Sequence, residues 1–171
     1  MNVQDKRPRP RLSASVMRLI EERADMSETY AVVSEGSPTS EDINLVRNGL
    51  GHYNRETGGL ANYKDLTLFI RDVTGQTVGG LLGFTIGTWL HIEILWVNEK
   101  IRRRGQGAHL LHRAEEEAVA RGCRVADLTT FDFQAPQFYE KQGYERFAEL
   151  SQVGAEHTVH FFRKYLTASL A

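Results

Sequence analysis

A short basic loop with two glycines, set between an apolar segment and an amphipathic one, constrains this chain more than any other feature. The apolar segment Trp89–Val97 has the length and composition of a buried central strand, with His91 and Glu93 as its polar members. Gly105 and Gly107 allow the backbone to approach a ligand closely, and a helix that begins at Gly107 offers unpaired amides at its positive end. This junction predicts an anion site of the kind that holds phosphate.

Three consecutive arginines, Arg102, Arg103 and Arg104, add positive charge to the same loop. Arg102 has the spacing that places it across the loop from the two glycines. Two simpler interpretations stay open at this point: the glycines only form a tight turn, and the arginines are a solvated surface run. A dinucleotide site is disfavoured, because its fingerprint needs glycine or alanine at position 110, where this chain has Leu110.

Length and composition indicate one domain behind a polar extension. The chain has 171 residues, 41% of them hydrophobic, which suits a single core. We expect an N-terminal extension over 1–25 and one domain over 26–171. A net charge of −1 disfavours nucleic acid as a partner, and the lack of a long apolar run disfavours a membrane. The single Cys123 is typical of a reducing compartment, so we expect a cytoplasmic protein without a metal site.

Periodicity and turn residues predict strands and helices in alternation. The segment Gly49–Lys64 has no clear period and is interpreted as a mobile, substrate-facing loop that includes a short helix. The predicted strands are Tyr30–Ser34, Leu66–Asp72, Thr77–Gly87, Trp89–Val97, Val125–Phe131, Tyr144–Ser151 and Thr158–Tyr165. The predicted helices are Ser13–Arg23, one that starts within Ser37–Asp42 with Ile43, Val46, Leu50 and Tyr53 as its apolar face, Gly107–Arg121, and a short one from Pro136 that Gly143 stops.

Three segments, taken together, resemble the GNAT N-acetyltransferase superfamily. They are Leu95-Trp96-Val97, Arg102-x-x-Gly105-x-Gly107 and Ala135-Pro136-Gln137-Phe138-Tyr139-Glu140-Lys141-Gln142-Gly143-Tyr144. The resemblance implies a three-layer α/β fold, in which about four helices flank a mixed, mostly antiparallel sheet of about six to seven strands. It also implies a splay between the fourth and fifth strands, which in the predicted order are Trp89–Val97 and Val125–Phe131.

The same resemblance implies acetyl-coenzyme A (acetyl-CoA) as the cofactor of an acyltransferase in which an amine attacks directly within a ternary complex. Pantetheine would enter between the splayed strands and bond the backbone of Leu95 and Val97. The pyrophosphate would rest on the amides from Arg104 to Gly107 and on the Arg102 side chain. The expected cofactor-binding residues are Leu95, Trp96, Val97, Arg102, Arg103, Arg104, Gly105, Gln106, Gly107, Ala108, Gln134 and Phe138.

An amine acceptor must lose a proton before it attacks the thioester. An alkyl ammonium of pKa about 10 holds its lone pair roughly three units out of reach at neutral pH, a deficit of about 4 kcal/mol. Alternation with period two places His91 and Glu93 on one face with Leu95 and Val97. The resemblance implies a general base or a water relay at His91, and Glu93 is an equal candidate as base or ammonium anchor. His91 as an ordinary core histidine, and Glu93 as an ion-paired group, stay open.

Tyr139 matches the position of the family's general acid, which would protonate the departing thiolate of coenzyme A. The alternative is a packed aromatic residue on an amphipathic helix. A backbone amide near Leu95 or Trp96 would stabilise the oxyanion that forms when the amine attacks. The candidate catalytic residues are therefore Glu93, His91 and Tyr139.

The acceptor is predicted from side-chain chemistry and from a second resemblance. Ile92–Val97 and Phe131–Pro136 resemble a bacterial GNAT branch that includes aminoglycoside N-acetyltransferases acting on kasugamycin. We therefore expect a small-molecule amine of this antibiotic type, with a protein lysine or N-terminus, or a non-catalytic coenzyme A-binding module, as alternatives. The family also suggests a homodimer. Aromatic rings and carboxylates bind ammonium groups well, and the candidate substrate-binding residues are Tyr53, Glu56, Tyr63, Trp89, Asp132 and Phe133.

Overall fold

The computed structural model describes residues 18, 30, 32–154 and 156–166. Contacts divide the chain into two units, Met1–Asn48 and Gly49–Ala171. The expected extension over 1–25, with its predicted helix Ser13–Arg23, lies outside the described residues apart from Arg18, which is helical. The sheet and the candidate site both belong to the second unit.

The predicted strand Tyr30–Ser34 is wrong for the residues that the structure describes, which leave out Ala31. Tyr30 and 32–34 have no strand geometry, and Tyr30 and Val32 are 75% and 106% exposed. A short apolar run becomes a strand only where a neighbour completes its backbone hydrogen bonds. Among the described strands none pairs with this segment.

Helix α1 spans Ser40–Gly58. Its start agrees with the predicted capping chemistry, because the hydroxyl of Thr39 accepts the backbone N–H of Asp42 at 3.1 Å. Gly49–Lys64 was predicted as a loop with a short helix, and α1 continues through this segment as far as Gly58, so its helical part is longer than predicted. No residue of α1 is buried in the described structure.

The second unit contains a six-stranded sheet in the order β1-β2-β3-β4-β6-β5. All neighbours are antiparallel except β3 and β4, which are parallel. The predicted α/β fold with a mixed, mostly antiparallel sheet is therefore confirmed. The strands are β1 (Lys64–Arg71), β2 (Thr77–Ile86), β3 (Trp89–Val97), β4 (Val125–Phe131), β5 (Glu145–Val153) and β6 (His157–Tyr165).

Two helices pack against one face of this sheet. Helix α2 (Gln106–Ala120) follows a single 3₁₀ turn at Glu99–Ile101, and helix α3 (Pro136–Lys141) begins with the predicted proline. Apolar side chains at helical spacing on α2 meet alternate residues of β2, β3, β4 and β6, as the two periods require. The core they form includes Leu110, Leu111, Ala114 and Ala118 of α2 with Leu81, Leu90, Ile92, Leu128 and Phe162 of the sheet.

Candidate active site

A cleft opens where β3 and β4 diverge. Their parallel pairing ends at Ile92 and Leu128, although the strands continue to Val97 and Phe131. The splay predicted between these two strands is confirmed, but they are the third and fourth strands of the described chain, because the segment at Tyr30–Ser34 is not a strand. The gap belongs to a cleft of about 850 Å³, which is also lined by the glycine-rich loop and by α3.

A β-bulge places Glu93 at the point where the strands part. Against β2, Ile92 pairs with Gly83 and Ile94 pairs with Leu82, which leaves Glu93 without a partner of its own. A bulge bends its strand and increases the local twist. Glu93, the unpaired residue, lines the cleft. The next residue, Ile94, is 52% exposed, whereas the apolar composition of this segment predicts a fully buried strand.

The bulge also changes which side chains share a face of the sheet. Cross-strand partners point to the same face. Leu95 pairs with Leu81 of the core, whereas His91 pairs with Phe84, which lies on the opposite face of β2. The predicted common face for His91, Leu95 and Val97 is therefore wrong, since strict alternation stops at the bulge.

The loop before α2 has the backbone shape of an anion site. Arg103 and Gly105 have positive φ angles of 61° and 78°, which turn successive amides toward one side. The N–H of His109 makes an early bond of the helix to the carbonyl of Gly105 at 2.9 Å. The amides of the preceding residues of α2, from Gln106 onward, therefore have no intrahelical partner.

Close packing fixes this loop against both walls of the cleft. The Nε of Arg102 donates to the carbonyl of Val97 at 2.8 Å, which ties the loop to the end of β3. A Cβ atom on Gly107 would lie 3.4 Å from Cζ of Phe138 and 3.8 Å from Cδ2 of Leu95. A side chain at position 107 would therefore be in van der Waals contact with both apolar walls of the cleft.

His91 belongs to a hydrogen-bonded cluster that contains a residue missed in the sequence. Its Nδ1 lies 2.7 Å from Oδ1 of Asp127, which also accepts the indole N–H of Trp89 at 2.8 Å. The bond to Asp127 raises the pKa of His91 above its ordinary value; partial burial opposes the shift, and the charges of Asp127 and Glu93 add to it. The signal that could have identified Asp127 in the sequence is an acid within the predicted strand Val125–Phe131.

Tyr139 lies on α3 with its side chain largely buried at the cleft. Its ring contacts Phe138, Tyr144 and Phe162, with centroids 5.0, 6.1 and 6.0 Å away. Burial raises the pKa of Tyr139 above its ordinary value, so the phenol keeps its proton at neutral pH. The arrangement presents a protonated donor to the cleft.

Most of the predicted cofactor residues line the cleft. Arg104 is exposed and does not. Of the catalytic candidates, Glu93 and Tyr139 line it and His91 does not. Gln134 also holds the end of β4, where its Oε1 accepts from the backbone N–H of Phe131 at 2.9 Å. The predicted cofactor residues that line the cleft are Leu95, Trp96, Val97, Arg102, Arg103, Gly105, Gln106, Gly107, Ala108, Gln134 and Phe138. The cleft is also lined by residues that were not predicted as site residues, namely Ile92, Ile94, Leu128, Thr129, Thr130 and Ala135.

The predicted substrate residues are divided among three places. Phe133 lines the cleft, and the neighbouring Asp132 forms an ion pair with His157 at 3.2 Å. Tyr63 stacks on Phe84 at 5.1 Å, and Phe84 contacts the rings of Trp89 and His91. Tyr53 and Glu56 are exposed on α1. The set therefore does not form one pocket in the described structure.

The described residues lack two kinds of feature. They contain no group of three histidine, cysteine or acidic side chains arranged to hold a metal ion. Their helices include none with both the length and the apolar character that a membrane span needs.

Comparison with known proteins identifies the family. The model of the Acetyltransferase (GNAT) family matches residues 38–144, and the chain belongs to this family. An acetyltransferase of Agrobacterium fabrum is 33% identical over 119 residues, which cover 70% of this chain and 87% of the relative. The fold and the family together define an acyltransferase that uses acetyl-CoA.

Two further relatives add detail to this assignment. The blasticidin-S acetyltransferase of Streptomyces morookaense is 39% identical over 93 residues, or 54% of this chain and 68% of that protein. The crystal structure of an acetyltransferase from Bacillus cereus superposes with a TM-score of 0.67 at 32% identity, covering 78% of this chain and 98% of that structure. The chain is thus a GNAT acetyltransferase with an antibiotic-acetylating enzyme among its relatives.

Proposed function

We propose that this enzyme acetylates a primary amine of a small cationic antibiotic. The observation that carries the proposal is the cleft, which brings the glycine-rich loop, Glu93 and Tyr139 to one space. An anion-binding turn, a carboxylate and a phenol are the groups that transfer from acetyl-CoA to an amine requires. The resemblance to enzymes acting on kasugamycin and the relative named for blasticidin S both favour an antibiotic acceptor.

The described residues fit acetyl-CoA at the proposed positions. Beyond Ile92 the edge of β3 has no pairing with β4, so the backbone of Leu95 and Val97 is available to an extended ligand. The first amides of α2, with the positive end of its dipole, suit a pyrophosphate. Bound there, acetyl-CoA supplies an acetyl thioester to the cleft.

Glu93 is the group proposed to receive the acceptor. It stands at the bulge, lines the cleft and carries a negative charge, which attracts an ammonium group. The ammonium must lose one proton before the nitrogen attacks the carbonyl carbon, because only the free lone pair is nucleophilic. Glu93 and His91 are the proposed acceptors of that proton, and the charge of Glu93 favours the protonated form of His91.

Tyr139 is proposed to complete the reaction. When the tetrahedral intermediate collapses, the carbon–sulfur bond breaks and the sulfur leaves with the electron pair. The buried phenol gives its proton to that sulfur, so coenzyme A departs as the neutral thiol. The phenolate then takes the second proton that the acetylated nitrogen must lose, which leaves a neutral amide and restores Tyr139. Backbone amides near Leu95 and Trp96 are proposed to hold the oxyanion of the intermediate.

Release of coenzyme A thiol from acetyl-CoA tests this function. The panel contains kasugamycin, blasticidin S, further aminoglycosides, a lysine peptide and an N-terminal alanine peptide. We expect thiol release with at least one antibiotic, a mass increase of one acetyl group on its amine, and loss of turnover in Glu93→Gln. Turnover only with the peptides would favour the protein acetyltransferase, and silence with every amine while coenzyme A still binds would favour a non-catalytic binding module.

A further inference from the structure

A carboxylate on the neighbouring strand holds His91 in a defined orientation. His91 and Asp127 are register partners across the parallel pair of β3 and β4, with 2.7 Å between Nδ1 and Oδ1. Their side chains are 27% and 29% exposed, so water screens the pair only in part. The indole N–H of Trp89 donates to the same oxygen at 2.8 Å, so the carboxylate cannot turn without losing two hydrogen bonds.

This contact determines which ring nitrogen of His91 carries a proton. An ionised carboxylate only accepts hydrogen bonds, so Nδ1 must be the donor to Asp127. In the neutral ring the lone pair then belongs to Nε2. When Nε2 takes a second proton, the positive ring stays beside the negative Asp127, which favours the protonated form.

The charges around this ring come from several strands. Glu93 on β3 and Asp127 on β4 both favour protonation of His91, while burial opposes it. The register partner on β2, Phe84, is uncharged. Three more charged residues lie in register with His91 on strands further across the sheet. Asp65 of β1 is the register partner of Phe84, and Arg163 of β6 is the register partner of Asp127. Glu145 of β5 is the register partner of Arg163 and forms an ion pair with it at 3.3 Å.

We propose that Asp127 is a positioning residue for acetyl transfer, holding His91 so that Nε2 accepts the proton released by the acceptor amine. The inference rests on the proposed function, because it needs an amine that is deprotonated in the cleft. The nitrogen lone pair forms the bond to the carbonyl carbon, and the proton ends on Nε2. Glu93, which lines the cleft and acts electrostatically on His91, is the group available to relay it.

The substitution Asp127→Asn removes the negative charge beside His91 while leaving a side chain of the same shape. Trp89 still needs an acceptor, so the amide oxygen takes the place of Oδ1 and the His91 N–H keeps its partner. We expect the pKa of His91 to fall, since its largest raising contribution loses its charge. The acid limb of the pH profile of kcat/KM should therefore move to lower pH. On the plateau kcat should fall roughly tenfold, which is part of the 10²–10⁴-fold rate enhancement that a general base typically contributes.

A double-mutant cycle with His91→Gln separates positioning from general structure. If Asp127 acts through His91, Asp127→Asn should have no further effect on kcat in the His91→Gln background. Glu116→Gln is the matched control, because it removes the carboxylate partner of an exposed histidine, His112, at 3.1 Å. The control should leave the pH profile unchanged. Nitrogen NMR of the full chain, assigned with His91→Gln, reports the tautomer and pKa of His91 directly.

The outcomes divide as follows. A lower His91 pKa, a shifted acid limb and a non-additive cycle support the inference. Two results would overturn the inference while the wild type remains an active acetyltransferase. In the first, Asp127→Asn lowers the pKa of His91 but leaves the pH profile of kcat/KM unchanged. In the second, Asp127→Asn lowers kcat equally in the wild type and in the His91→Gln variant. A wild type that acetylates no amine refutes the proposed function and the inference together, and a His91 proton on Nε2 alone refutes the assigned tautomer.

Discussion

Replacing Gly83 with alanine tests whether the bulge at Glu93 builds the site. Gly83 lies on β2 opposite Ile92, at the register shift. An added Cβ would lie 2.2 Å from the carbonyl oxygen of His91 and 3.2 Å from Cα of Ile92. These are backbone atoms, so no side-chain rotation relieves the contact, and β3 must move away by about 1 Å to restore an ordinary carbon–oxygen distance of roughly 3.3 Å.

The energetic cost follows from that displacement. Overpacking a well-packed region costs about 1–3 kcal/mol, and a clash with backbone belongs at the upper end of this range. Alanine restricts the unfolded chain and returns about 0.4–1 kcal/mol. The net loss in the free energy of unfolding is therefore about 2 kcal/mol, which for a chain of this size lowers Tm by roughly 4–8 °C.

Thermal melts and steady-state turnover, the latter measured well below Tm, check this prediction. Gly83→Ala should lose Tm and also kcat, because the movement displaces Glu93 and the edge of β3. Gly49→Ala is the matched control: no heavy atom lies within 4 Å of its Cβ on the exposed helix α1, so we expect a gain of up to about 1 kcal/mol and unchanged kcat. Wild-type Tm and kcat in Gly83→Ala would refute the reasoning.

Three further predictions concern other groups. Tyr139→Phe should lower kcat about 10²-fold with little change in the Kd of coenzyme A, and equal loss of both would mean a structural tyrosine. Lys164→Met should cost about 3 kcal/mol in urea unfolding, because it removes the ammonium group 2.7 Å from the carboxylate of Glu115, whose side chain is only 10% exposed. A loss below 1 kcal/mol would contradict this. The pKa of His91 is raised in the folded protein, so its pairing with Asp127 contributes fully to stability below the ordinary histidine pKa of about 6.5. This contribution is lost as the pH rises through the raised pKa of His91 in the folded protein. Asp127→Asn should therefore reduce Tm more at pH 5.5 than at pH 9, and a pH-independent loss would count against the pair.

Local patterns predicted much of the site. The bounds of Trp89–Val97 and Val125–Phe131 are those of β3 and β4, and α2 starts one position before the predicted Gly107. These elements follow from apolar runs and glycine breaks within the segment itself. The loop between β3 and α2 was predictable for the same reason, because its glycines and its arginines are neighbours in the sequence.

Features that depend on a partner segment escaped prediction. The bulge at Glu93 arises where Gly83 of another strand permits a close backbone approach, so alternation along β3 alone gave the wrong face for His91. Asp127 meets His91 only because β3 and β4 are parallel neighbours in this register. The same limit applies to Tyr30–Ser34, where apolar residues without a described partner strand do not form a strand.

Calorimetric titration of wild type and Gln106→Asp with coenzyme A and with pantetheine tests the central claim most directly, because Gln106 is the first residue of α2 and lines the cleft. Aspartate in the first turn of α2 is compatible with the helix dipole, but its charge would repel a pyrophosphate at the amides. The proposed site predicts at least tenfold weaker coenzyme A binding in the variant, and equal binding of pantetheine, which has no pyrophosphate. Unchanged coenzyme A affinity in a folded Gln106→Asp protein would show that the pyrophosphate binds elsewhere.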